Sequence, residues 1–104
     1  MKFSENLVPL ILSGEKTTTW RFFDEKNLKE GDEFILLNQV TGKEFAKAKV
    51  TKVYEKRFKD ISDDDLDGHE KYENRDKMLK TYQNYYGDKV NWEAMVKVID
   101  YKLI

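Results

Sequence analysis

Eight residues near the start of the chain, Gly14-Glu15-Lys16-Thr17-Thr18-Thr19-Trp20-Arg21, set an amine, three hydroxyls and a guanidinium in close order. If Thr17 to Arg21 is extended, Thr17, Thr19 and Arg21 share one face, and Thr18 and Trp20 share the other. Hydroxyls and cations on one face suit an oxyanion, a phosphate or a polarised carbonyl. The run is not a nucleotide-hydrolase phosphate loop, because the second glycine of that pattern is missing and Glu15 stands before Lys16. A threonine-rich strand with flanking charges is also ordinary architecture, so residue types alone leave both a ligand cradle and a structural strand open.

A second group is the acidic stretch Asp63-Asp64-Asp65-Leu66-Asp67-Gly68-His69-Glu70. Asp63, Asp65, Asp67 and Gly68 match the opening of a calcium-binding loop. Glu70 and Asn74 then fall where an apolar residue and a bidentate Glu are required. The expectation is therefore a solvated acidic loop. His69 is the only histidine. Beside carboxylates it can serve as a general base or a metal ligand. With no second histidine and no cysteine, a zinc site is not expected, and the ordinary reading is a surface or hinge histidine. Trp20, Phe22, Phe23, Tyr72 and Tyr85 are able to stack on a planar ligand, but each is equally a core residue. Trp20, facing away from Thr19 on a regular strand, is assigned to the core.

The elements that must position these groups follow from periodicity and punctuation. Leu7, Leu10 and Ile11 recur at helical spacing, which predicts a helix from Asn6 to Ser13. Asn6 is its expected N-cap, Pro9 sits in the first turn, and Gly14 takes the left-handed position past its end. Thr17 to Phe23 is β-branched and aromatic, hence a strand. Asp24 to Asp32 is a charged connector. Glu33 to Asn38 reads as a strand, and Thr41-Gly42 as the turn of a hairpin. Phe45 to Phe58 is a long strand with a bulge near Thr51-Lys52, where the alternation of Ala46, Ala48 and Val50 slips. Ile61 to Asn74 is irregular with one short helical turn. Asn74 caps a second helix, Arg75 to Tyr86, whose apolar stripe is Met78, Leu79, Tyr82, Tyr85 and Tyr86 and which Gly87 closes. Val96 to Ile104 ends the chain as a strand. The sum is a small, mostly antiparallel barrel with helices packed on it.

Composition bounds the rest. The 104 residues make one domain, with no linker and no repeat. With 39% hydrophobic and 13% aromatic residues, the chain has enough apolar surface to fold rather than stay disordered. The absence of cysteine excludes disulfides and thiol chemistry and fits a reducing, cytoplasmic setting. No secretory leader and no apolar run of spanning length is visible, so no membrane association is expected. A net charge of −1 argues against a nucleic-acid binder held by charge alone, and an anionic ligand would need a local cluster.

The whole chain, residues 1–104, resembles the ASCH domain family, whose fold is similar to that of the PUA domain. The resemblance rests on LVPLILSGEKTTTWR, on LKEGDEF and on DGHEKYENRDKMLKTYQNYYG before a closing strand. The Gly-x-Lys-x-x-Thr-x-Arg pattern is met by Gly14, Lys16, Thr19 and Arg21. The resemblance implies an α+β fold, a mostly antiparallel barrel of five or six strands with two main helices beside a cleft, and ligands that are RNA or modified nucleosides. Among small bacterial members the chain is similar to N4-acetylcytidine amidohydrolases, which release acetate and cytidine with a Lys, a Thr three residues on and a Glu before the second helix. That similarity maps the Lys onto Lys16 and the Thr onto Thr19. Counting back from Gly87 points to Glu70 for the acid, whereas a shifted alignment selects Glu73 or Asp67. Arg21 and Thr17 are the expected substrate-binding residues, and no cofactor or metal is implied.

Two divisions of labour stay open. In one, Thr19 attacks and a neutral Lys16 takes its proton. In the other, Glu70 activates water while Lys16 and Thr19 hold the oxyanion. The competing function is an RNA-binding module, with or without ribonuclease activity, in which Lys16 and Arg21 are joined by some of Lys47, Lys49, Lys52, Lys56 and Arg57 on phosphates. Neither reading calls for DNA, and a monomer is expected because no apolar helix face is left over.

Overall fold

The computed structural model describes residues 1–24 and 26–104. Glu25, inside the expected connector, lies outside the described residues. Five strands, β1 (Lys2–Phe3), β2 (Thr18–Phe22), β3 (Glu33–Asn38), β4 (Glu44–Arg57) and β5 (Met95–Leu103), form one sheet in the order β1-β3-β4-β5-β2. Every pairing is antiparallel except β1 with β3. Among the described residues the α-helices are α1 (Val8–Leu12) and α2 (Arg75–Tyr86). The sheet is a curled half-barrel rather than a closed one, and its edge strands are β1 and β2. An Arg21 side chain on β2 bridges that seam, donating to the Lys2 carbonyl of β1 at 3.0 Å.

Two cores lie on opposite faces of the sheet. Trp20 and Phe22 of β2, and Val96 and Val98 of β5, pack with Phe58, Ile61, Val90 and the Met78 and Tyr82 of α2. Phe3, Ile11, Leu36, Ala48 and Tyr101 form the second, to which α1 contributes Ile11. On β5 the residues of the first core are even-numbered and Tyr101 is odd-numbered, so the two sets point to opposite faces. Along β5 the covered face therefore changes between Val98 and Tyr101. The bulge in β4 falls between Val50 and Lys52, at the expected position, opposite Tyr101 and Asp100. Asn74 caps α2 by accepting from the Lys77 amide at 2.9 Å.

Two expectations are corrected, and one strand is new. Asn6 is not a helix cap: Glu5–Leu7 is a 3₁₀ turn, and α1 begins only at Val8, with no side-chain cap. β1 had no sequence signal, because two residues carry no periodicity and their pairing is with a distant strand. The acidic segment is not simply solvated. Asp65 is buried and accepts from Tyr54 at 2.6 Å, from Lys56 at 2.7 Å, and from the Ser62 amide and hydroxyl at 2.9 and 3.2 Å. This ties the loop carrying His69 and Glu70 to β4. No helix among the described residues is long and apolar enough to cross a membrane.

Burial would raise the Asp65 carboxyl, but the hydrogen bonds of Lys56, Tyr54 and Ser62 outweigh it and hold it at about 2. A carboxyl depressed by folding stabilises the fold above its unfolded value and loses that contribution as pH falls through its folded value. Wild-type stability is thus expected to drop between the ordinary value of 3.8 and about 2. Asp65→Asn should cost about 1.5–3 kcal/mol at neutral pH, the usual worth of hydrogen bonds to a charged group. It should also show a smaller drop than wild type across that window in urea titrations.

Candidate functional site

The hinge between α1 and β2 delivers Lys16 into the protein. Gly14 turns the chain with a φ of +84°, a conformation that favours glycine. The Lys16 amide then donates to the Leu10 carbonyl at 3.0 Å, and its carbonyl accepts from the Tyr101 hydroxyl at 3.0 Å. The Lys16 side chain is 4% exposed as a residue, and its Nζ donates to the Thr18 carbonyl at 2.9 Å and to Glu70 Oε2 at 2.6 Å. Burial is the largest influence on Lys16 and lowers its pKa, while the charge and hydrogen bond of Glu70 act to raise it. For Glu70, burial acts upward, but the neighbouring charges and the Lys16 hydrogen bond prevail and the net direction is down. The two groups thus face each other across a short, charge-assisted contact of 2.6 Å.

Glu70 reaches Lys16 because Gly68 docks its loop on the start of β2. The Gly68 carbonyl accepts from the Thr17 and Thr18 amides at 2.8 and 3.3 Å. Gly68 has a φ of +78°, and a Cβ there would lie 2.1 Å from Thr17 Oγ1. Gly68→Ala is therefore expected to cost about 1–3 kcal/mol, read as a lowered urea midpoint. It should cost activity as well, because it displaces the segment that presents Glu70.

A cavity of about 360 Å³ opens over the pair, at the seam between the edge strands. Ligand sites usually run from roughly 300 to 1,000 Å³, so this one suits a small ligand. Lys16, Thr19, Arg21 and Glu70 line it, together with Lys2 and Phe3 of β1 and Tyr72, Tyr82, Tyr85 and Tyr86. Thr19 is 3% exposed and lines the cavity beside Lys16 and Glu70. The Arg21 guanidinium lies 4.8 Å from the centre of the Phe3 ring. Neither Arg21 nor Lys2 has a carboxylate partner among the described residues.

Of the residues singled out in the sequence, Lys16, Thr19, Arg21 and Glu70 come together. Thr17 does not. β2 begins one residue later, and exposed Thr17 lines a different cavity with Asp64, Asp67 and Asp100. Asp67 lies in that second cavity, and exposed Glu73 lines neither of the two, so Glu70 is the acid beside Lys16. Trp20 is core, 1% exposed, yet it also touches the cavity wall. His69 is not a surface histidine: it is 6% exposed and stacks 3.9 Å from Trp20. Tyr82 had no chemical signal in the sequence; only the apolar stripe of α2 marked it. Among the basic residues of β4, Lys56 pairs with Asp65 and Arg57 with Glu93, and none lines the cavity.

Comparison with known proteins agrees with this architecture. The chain superposes on the ASCH domain of Lactobacillus crispatus with a TM-score of 0.73, at 16% identity over 91% of this chain and 68% of that one. A mutant ASCH protein of Zymomonas mobilis gives 0.72, at 11% identity over 98% of this chain and 65% of that one. A Pyrococcus furiosus protein gives 0.62, at 19% identity over 100% of this chain and 98% of that one. These identities establish the shared fold. No curated protein sequence matches the chain. The sequence model described as the ASCH domain matches residues 1–103, and the chain belongs to the ASCH domain family.

Proposed function

We propose that the chain is an amidohydrolase that removes an acyl group from a modified nucleoside such as N4-acetylcytidine. The observation that carries this reading is the buried Lys16–Glu70 pair, 2.6 Å apart, on the wall of a cavity that Thr19 also lines. Amide hydrolysis needs a proton acceptor for water, donors for the oxyanion and a proton for the leaving nitrogen.

A carboxylate 2.6 Å away holds the proton on the Lys16 amine, so Lys16 is a donor rather than a base. Glu70, ionised by the same contact, takes a proton from water as the oxygen attacks the acyl carbon. Lys16 and Thr19 donate to the carbonyl oxygen as it becomes an oxyanion. As Lys16 turns to that charge, Glu70 becomes more basic at the moment it receives the proton. The C–N bond then breaks, Glu70 returns the proton to the exocyclic nitrogen, and acetate and cytidine leave. Delocalisation into the pyrimidine ring makes that nitrogen a better leaving group than an alkyl amine. Tyr85, 61% exposed on the cavity lining, and Tyr72 offer faces for the base.

A second reading is an RNA-binding ASCH module, and the observation favouring it is the pair of cations Lys2 and Arg21 at the cavity, neither with a carboxylate partner among the described residues. Release of cytidine from N4-acetylcytidine by the purified chain, with no RNA retained at physiological salt, supports the hydrolase. Absence of turnover, together with RNA affinity that falls steeply as salt rises, replaces it with the binding module.

A further inference from the structure

Glu70 is held from a second side. His69 Nδ1 lies 3.0 Å from the Glu70 carbonyl oxygen and 3.2 Å from Glu70 Oε2. Its Nε2 lies 3.0 Å from the Tyr82 hydroxyl. Both partners of Nδ1 accept only, so the ring proton belongs on Nδ1, and Nε2 must accept from Tyr82. Tyr82, with its proton spent, accepts from the Tyr72 hydroxyl at 3.4 Å. The chain Tyr72→Tyr82→His69→Glu70 runs one way, and both its ends line the cavity. Stacking of the His69 ring on Trp20, 19° from parallel, fixes its plane.

We propose that His69 is a positioning residue: as its neutral Nδ1–H tautomer, set by Tyr82 and Tyr72, it aims the Glu70 carboxylate into the cavity. The groups facing His69 are Lys16, Glu70, Lys71, Tyr72 and Tyr82. Burial, and then the Lys16 charge, lowers its pKa to about 4, which agrees with a neutral ring at physiological pH. One consequence concerns the ligand. Tyr72 gives its only proton to Tyr82, so toward the cavity its oxygen can only accept. That suits a ligand N–H, such as that of an acylated exocyclic amine.

The role of His69 in turnover rests on Glu70 being the proton acceptor; the hydrogen-bond chain does not. The test therefore has two parts. His69 is the only histidine, so its ¹⁵N shifts can be read without ambiguity. The wild type at neutral pH is expected to show the Nδ1–H tautomer, and Tyr82→Phe is expected to shift it toward a mixture. A dominant Nε2–H tautomer or a charged ring in the wild type overturns the proposal. In turnover of N4-acetylcytidine, His69→Gln should lower kcat about 10–100-fold with little change in KM, the usual cost of losing an orienting partner. His69→Asn keeps an N–H at the Nδ1 position and should recover most of that loss. Equal losses in the two variants overturn the positioning role. If the wild type has no turnover, the amidohydrolase reading and the role of His69 in it fall, and the ¹⁵N spectrum still decides the chain.

Discussion

Lys16→Met is expected to lower turnover of N4-acetylcytidine by about 10²–10³-fold, the cost of removing one oxyanion donor. The loss should fall on kcat, because the interaction is made most strongly once the carbonyl oxygen carries charge. Methionine keeps the aliphatic bulk of the buried stem, so the fold should survive. Breaking a fully buried ion pair costs roughly 3–5 kcal/mol, because the remaining charge is stranded. Here the remaining carboxylate is 27% exposed to the cavity, and His69 lies 3.2 Å away, so the stability loss should fall below that range. A folded Lys16→Met protein with wild-type kcat would remove Lys16 from the mechanism.

Glu70→Gln is expected to lower kcat by about 10²–10⁴-fold, the range for losing a positioned proton acceptor. Its effect on stability differs from that of Lys16→Met, because the stranded charge is now the amine, whose side chain is 3% exposed. Without Glu70, burial and the Arg21 charge act unopposed, and the Lys16 pKa falls further below its ordinary value of 10.5. An amine whose folded pKa lies below its unfolded one binds fewer protons when folded. Stability then rises with pH up to the unfolded value. The variant should gain more stability than the wild type between neutral pH and about pH 10, measured as urea midpoints. Equal gains in both proteins would show that Glu70 does not hold the proton on Lys16.

Thr19 and Arg21 were legible because strand alternation puts them on one face, and Lys16 because the Gly-x-Lys-x-x-Thr-x-Arg pattern of the resemblance marks it. Thr17 left that group because β2 starts at Thr18, so the alternation of the strand does not extend to it, and its amide donates to the Gly68 carbonyl. Glu70 meets Lys16 across 54 positions, and no local pattern ranks it above Glu73 or Asp67. The geometry that selects it is the positive φ of Gly68 and the docking of its carbonyl on β2.

The helix α2 was readable from its stripe, its Asn74 cap and its closing glycine. The same stripe concealed the use of Tyr82, since an aromatic at a core position has the same spacing whether or not its hydroxyl is bonded. His69 was misjudged for a related reason: a histidine in an acidic run reads as solvated, and only the three-dimensional contacts with Trp20 and Tyr82 bury it. The barrel was expected from the strand count. Its seam at β1 and β2, where the cavity lies, depends on a two-residue strand that no periodicity could reveal.

The most direct measurement is incubation of the purified chain with N4-acetylcytidine, with cytidine followed by chromatography beside Lys16→Met and Glu70→Gln. The expected result is steady release of cytidine by the wild type and loss of at least about 10²-fold in each folded variant. No release by the wild type at high protein concentration, or equal release by all three, would contradict an amidohydrolase built on the Lys16–Glu70 pair.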